Sequence, residues 1–345
     1  MVTPDYYPSV YAGPRCPDTF RYLDTAPTTT RSGEQLPADW GEAVVHCVVM
    51  AGARATGKSL YLAVVVKQLE MLAAEKFPGM VVEPVTESTK QRYAKHYEQP
   101  LYVEMKQMAP TPTSAQEDAY QRDPFIFSLG RWRDGDGTER PHYVVLRDVA
   151  GEDLENPAVD REALSFFCYA DLVIMLFDPL LVPSVQVYVQ GLVPRQDGLG
   201  GNPEDVFSNL MRILGDARPP LALTISKFDS LQILERMPEG EWKAIMGNSG
   251  AAFRRDNGWD YNLDAQKVLD LEVKSLLSYM KAGRLLNKVE AAYAHDRHSY
   301  FAVSSLGDAP VGERLSRKGI APYRCLDPLL WILRERGALK ESERR

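Results

Sequence analysis

The sequence is poor in the residues that build metal and disulfide frameworks: 345 residues contain four cysteines and five histidines. Cys16, Cys47, Cys168 and Cys325 lie far apart with no Cys-x-x-Cys spacing. That excludes a zinc finger or disulfide scaffold and suits free, buried thiols in a reducing compartment. His295 and His298 flank Asp296 without a further ligand nearby, so both read as solvated. Long basic runs are missing and the net charge is −7, which argues against a sequence-independent grip on nucleic acid or an anionic membrane. No hydrophobic run is long enough to span a membrane: the most apolar stretch, 164–193, is broken by Asp171, Asp178, Pro179 and Pro183 and reads as a buried strand with flanking loops. The first twenty residues have no basic segment followed by an apolar one, which argues against a signal peptide and for a cytoplasmic protein.

What is present is the ordinary material of a folded α/β chain, 45% hydrophobic and 25% charged. Residues 1–42 are rich in Pro, Thr, Tyr and Gly without a period, an irregular extension that either drapes over the domain or stays mobile. From 43 to 338, apolar runs of strand length alternate with longer helical stretches, the pattern of one domain with a parallel sheet and crossover helices. Strands are predicted at 44–52, 125–129, 142–148, 172–178, 221–229 and 299–307, and helices at 58–77, 203–216, 263–293 and in the closing segment before a charged tail, 339–345. Asp-Gly-Asp-Gly at 134–137 predicts a hairpin and therefore one antiparallel edge strand. The apolar positions of 268–280 read as a core-facing helix stripe. Insertions near 78–123, 179–202 and 238–262 exceed what a minimal domain needs, and protein partners are expected there.

The chemistry concentrates at strand ends. "GARATGKS", 52–59, matches G-x-x-x-x-G-K-[ST] between a predicted strand and helix. In that context the amides of Gly52, Ala55, Thr56, Gly57, Ser59 and Leu60 would wrap a phosphate chain, Lys58 would reach the distal phosphates, and the Ser59 hydroxyl would ligate Mg²⁺. "LRDVAGED", 146–153, places Asp148 at a strand end, where it can hold Mg²⁺ through water, and Gly151 three residues on, where its amide can meet a terminal phosphate. "TISKFDS", 224–230, offers Lys227 to lie across a purine and Asp229 to accept from guanine N1 and N2, a donor pair adenine lacks. "VSSLG", 303–307, brings Ser305 or the Leu306 amide to the guanine O6. Each string alone is also plain turn chemistry; their order, each at the carboxyl end of a strand, gathers them at one rim.

With these four motifs the chain resembles the translation-factor-related GTPases over about 44–337. The "DVAGED" form, the long insertions and the Cys-Pro-containing extension look like bacterial double-GTPase families of conflict or stress systems. The resemblance implies a P-loop NTPase fold, three-layer α/β/α, with GTP/GDP and Mg²⁺ as cofactors and GTP hydrolysis used as a molecular switch in a bacterial defence or stress system.

Two positions depart from that pattern. Glu152 stands where such GTPases place a Gln or His to orient water, and its carboxylate would repel charge developing on the γ-phosphate. Arg54 sits inside the phosphate loop, either as a built-in arginine finger or as a solvent-facing guard against an external activator. Lys58, Glu152 and Arg54 are therefore the catalytic candidates. Thr113 and Thr111 lead as the switch threonine on Mg²⁺, with Thr86 and Thr89 competing. The same departures motivate an alternative: a nucleotide-binding scaffold or assembly protein with little or no hydrolysis. An ATPase is a third reading that discounts "SKFD".

Overall fold

Val44–Gly52, β1, is buried along its whole length, as a near-continuous apolar run must be when helices cover both faces of a sheet. The computed structural model describes residues 11–76, 80–109, 111–112, 123–133, 137–156, 158, 161–193, 200–256, 262–309, 315–316 and 319–336. Glu83–Pro84 (β2), Phe125–Arg133 (β3), Glu139–Arg147 (β4), Leu172–Phe177 (β5), Leu221–Ile225 (β6) and His298–Ala302 (β7) complete a seven-stranded sheet. Its order is β2-β3-β4-β1-β5-β6-β7. β4, β1, β5, β6 and β7 are mutually parallel, so their carboxyl ends share one rim, whereas β3 runs antiparallel to β4 and pairs with the two-residue β2 at the edge. The hairpin expected from Asp-Gly-Asp-Gly appears as the β3–β4 pairing; residues 134–136 lie outside the described residues.

Period-two alternation along β1 splits the core in two. Val45, Cys47, Val49 and Ala51 face the layer containing helices Pro203–Leu214, Leu263–Tyr279 and Gly283–Ala292. Val44, Val48 and Met50 face helices Lys58–Lys76 and Asp327–Glu335. Lys58–Lys76 buries apolar side chains around most of its circumference, including Tyr61, Val64, Val66, Leu69 and Leu72.

Several local expectations need correction. The stretch 263–293 is not one helix: it breaks at Met280–Ala282, where Lys281 takes a left-handed φ of 65°. Its apolar positions also divide, with Leu269, Val273, Leu276 and Leu277 buried, while Val268 and Leu271 are 51% and 61% exposed. The polar insertion after residue 78 is partly helical, with Glu87–Tyr93 running into a wide π-type segment, Ala94–Val103, that contains Pro100. Proline lacks the N–H and crowds the carbonyl four residues back, which a wider turn relieves. His298 is not solvated: it opens β7, is 8% exposed, and places Nδ1 2.9 Å from the Ala294 carbonyl oxygen. All four cysteines are free, with Cys47 and Cys325 buried.

At the rim opposite the motifs, the N-terminal and C-terminal segments meet on one carboxylate. Asp171, just before β5, accepts from the Cys47 amide at 2.7 Å, from Arg336 at 2.7 Å and from Arg15. Arg15 is 2% exposed and also donates to the carbonyls of Phe20 at 2.9 Å and Val45 at 3.1 Å. Phe20 and Trp40 are buried in the same core. Beside this cluster His46 Nε2 lies 3.1 Å from His142 Nδ1, both rings fully buried.

Replacing Asp171 by Ala leaves the buried Arg15 guanidinium and the partly buried Arg336 with less compensation, and we expect a loss of about 3–5 kcal/mol in urea unfolding. Burial, reinforced by Arg336 and Arg140, lowers the His142 pKa to about 3, and His46 is pushed well below its ordinary value. Because the folded values are depressed, the unfolded chain takes up protons first. The stabilisation is therefore complete above about pH 6.5 and declines as pH falls towards 3, by about 1.4 kcal/mol per pH unit for each ring. The urea midpoint should drop between pH 7 and pH 5, and His142→Gln should flatten that slope.

Candidate functional site

The parallel strand ends bring the predicted residues to one cavity of about 620 Å³, lined by Arg54 to Leu60, Thr111, Gly151, Glu152, Lys227, Asp229, Ser305 and Leu306 among others. β1 ends at Gly52, and the chain turns back through left-handed positions at Gly52 (φ 140°), Ala55 (φ 60°) and Gly57 (φ 91°). A Cβ on Gly52 would come within 2.8 Å of the Leu176 carbonyl oxygen, so the close approach of loop and β5 requires glycine there. Thr56 closes the loop by donating to the Ala53 carbonyl at 2.9 Å.

Inside the loop, Lys58 donates to the carbonyls of Gly52 at 2.9 Å and Ala53 at 2.8 Å. Burial lowers its pKa to about 8, opposed by the negative charges of Asp148, Glu152, Glu155 and Asp153. An anion placed beside it would restore its affinity for the proton.

Asp148 follows β4 and is 1% exposed. One carboxylate oxygen, Oδ2, accepts from Ser59 at 2.5 Å and from Tyr97 at 2.9 Å. Since Ser59 gives its proton to Asp148, it accepts in turn from Thr111 at 2.5 Å. The other oxygen, Oδ1, is buried and has no hydrogen-bond partner among the described residues. A buried, unpartnered carboxylate oxygen is costly, and burial raises this carboxyl's pKa. The donor set of Ser59, Asp148 and Thr111 suits a hard, oxygen-seeking cation such as Mg²⁺. Among the described residues no group of three His, Cys, Asp or Glu could ligate a metal, so an ion here would complete its shell with phosphate oxygens and water.

The threonines sort clearly. Thr111 reaches Ser59. Thr86 caps the helix Glu87–Tyr93, and Thr89 is buried beneath β3, accepting from the Ile126 amide at 3.2 Å. Thr113 lies outside the described residues.

At the other end of the cavity, Lys227 adopts a left-handed φ of 48° and pairs with Asp178 at 2.5 Å. Asp229 accepts from Ser304 at 2.5 Å, and burial raises its pKa. Ser305 and Leu306 line the wall beside it.

Four supporting residues escape a reading of the motifs: Asp178 behind Lys227, Ser304 behind Asp229, Tyr97 behind Asp148, and Glu155. The last accepts the Arg54 backbone N–H at 2.5 Å. A strand-ending Asp178 and the acidic run after Gly151 were the only signals, and neither names its partner. Arg54 and Glu152 face each other, with Nε 3.8 Å from Oε1 and side chains 49% and 36% exposed.

No family model matches the chain. A protein of Mycolicibacterium smegmatis named "Putative ESX-1 scaffolding and assembly protein SaeC" is 43% identical over 308 residues, covering 88% of this chain and 78% of that protein. This relationship corrects the resemblance drawn from the four motifs. The chain is not placed among translation-factor-related GTPases or double-GTPase conflict systems, and the expected GTP hydrolysis, enzyme activity and molecular switch fall with that placement. The scaffold alternative agrees with the relative's name. At this identity and coverage, the chain belongs to the family of the SaeC scaffolding and assembly protein.

Proposed function

We propose that this chain is a scaffolding and assembly protein that works through protein partners, as its relative is named to do for ESX-1, and that it holds a Mg²⁺-bound nucleotide without turning it over. The observation that carries the nucleotide part is the buried, unpartnered Asp148 Oδ1 beside a phosphate-type loop whose lysine is desolvated. In this reading the loop is that of a P-loop NTPase fold. The amides of Ala55 to Leu60 and the Lys58 ammonium hold phosphate, while Ser59, Asp148 and Thr111 hold the ion. Lys227, Asp229, Ser305 and Leu306 receive a base, and guanine best matches the Asp229 carboxylate. The bound ion supplies charge neutralisation at the phosphates.

Retention in place of hydrolysis follows from what surrounds the distal end of the loop. Glu152 is a carboxylate where a water-orienting group would have to tolerate developing negative charge, and Arg54 is turned towards Glu152. Protein contacts are supported by the excursion after β5. From Pro179 to Val193 it carries no charged side chain, yet Val187, Tyr188 and Leu192 are 71%, 43% and 41% exposed. Among the described residues no helix is long and apolar enough to cross a membrane.

Protein purified gently should release close to one purine nucleotide per chain on denaturation, and a single-turnover experiment should yield no appreciable phosphate. Lys58→Ala should weaken nucleotide binding on the order of 100-fold, the loss of a charge-assisted contact of about 2–3 kcal/mol. Asp148→Asn should remove the Mg²⁺ dependence of binding. Calorimetric titration that detects no nucleotide binding by the wild-type chain sinks the nucleotide part of the proposal; rapid phosphate release sinks retention.

A further inference from the structure

If the crevice is a nucleotide site, as proposed above, the distal end of its loop carries an arrangement that bears on which nucleotide it accepts. Lys58 marks that end, because its ammonium lies on the carbonyls of Gly52 and Ala53. The next amide, Arg54 N–H, donates to the Glu155 carboxylate at 2.5 Å, so a carboxylate of the chain itself already occupies an anion-seeking donor. Two backbone segments close on the same spot. A Cβ on Gly151 would lie 2.2 Å from the Arg54 nitrogen, and one on Gly200 would lie 2.5 Å from the Arg54 carbonyl oxygen. The loop is thus pressed between two glycine backbones.

The clasp is anchored from outside the crevice. Asn209, on the helix Pro203–Leu214, donates to the Leu154 carbonyl at 2.9 Å and so holds the end of the short helix that carries Glu155. The Glu155 carboxyl carbon also lies where a Cβ on Gly201 would be 3.4 Å away. Charge acts in the same direction as shape: Glu152, Asp153 and Glu155 follow Gly151, and Arg54, beside them, already faces Glu152 at 3.8 Å. A third phosphate brings further negative charge to this end, whereas a second phosphate is served by the loop amides and Lys58.

We infer that this crevice selects a nucleoside diphosphate over the triphosphate, with Glu155 as the specificity-determining residue that occupies the Arg54 amide at the third-phosphate end of the loop.

The test is calorimetric titration of the full chain with Mg²⁺ and four probes: GDP, ADP and their imido-triphosphate analogues. The expected result is at least ten-fold tighter binding of the diphosphate of the preferred base. Glu155→Ala and Glu155→Gln, which free the Arg54 amide, should each bring the triphosphate analogue to within about three-fold of the diphosphate. The half-buried position of Glu155 makes both variants compatible with folding, which a thermal melt verifies. Equal binding of diphosphate and triphosphate by wild type overturns the inference and leaves the nucleotide site standing. A preference that survives both variants overturns the role of Glu155, and no binding of any probe overturns the nucleotide site itself.

Discussion

An ammonium that is only 6% exposed governs the carboxyl edge of this sheet. Taking Lys58 out of water is costly, and the chain offsets that cost with geometry the rest of the site then inherits. To bring two carbonyls within 2.9 Å of the nitrogen, the segment after β1 has to curl through three left-handed residues. To keep the charge compensated, Asp148 and the acids that follow Gly151 have to lie near it. Those requirements fix where β4 ends and why the helix Gly151–Glu155 stacks on the loop so closely that a side chain at 151 has no room.

Features encoded locally were legible in the sequence, and features made by distant partners were not. Six of the seven strands were legible because burial on both faces leaves an apolar run, and the antiparallel β3 followed from the turn residues before β4. The two-residue β2 left no such run, and the apolar residues after β6 and β7 drew the predicted strands 221–229 and 299–307 past their ends at Ile225 and Ala302. The phosphate-type loop is an eight-residue motif, and its lysine and serine lie where the spacing implies. By contrast, the Arg54 amide meets Glu155 across 101 positions, Ser304 meets Asp229 across 75, and Lys227 meets Asp178 across 49. No periodicity reports such a pairing. The choice among threonines failed to resolve for the same reason: Thr111 is selected by where the loop crosses Ser59, while Thr86 is occupied with capping its own helix. The break at Lys281 was hidden because the residues on either side continue one helical pattern, and a single left-handed residue interrupts it.

The motifs misled about activity because they describe a pocket, not its use. Four short strings in the right order say that strand ends converge on one crevice. A crevice of given shape does not by itself fix the chemistry done in it. The match over 308 residues ties this chain to a protein named for scaffolding and assembly.

Under the function proposed above, a tightly held ligand has a physical purpose without chemistry. A molecule that binds only the folded form stabilises it in proportion to the logarithm of its concentration over its dissociation constant. For the proposed ligand that stabilisation falls on the loop, on the helix Gly151–Glu155 and on Gly200, because all three meet at Arg54. The excursion touches the cavity at Leu180 and Val193 and turns Val187, Tyr188 and Leu192 outward between them. Ordering the cavity therefore orders the base of an exposed apolar surface, and turnover of the ligand would undo that order. In that reading an acid at position 152, facing Arg54 and close to the loop, disfavours the charge that develops when a phosphate is cleaved and so leaves the ligand intact.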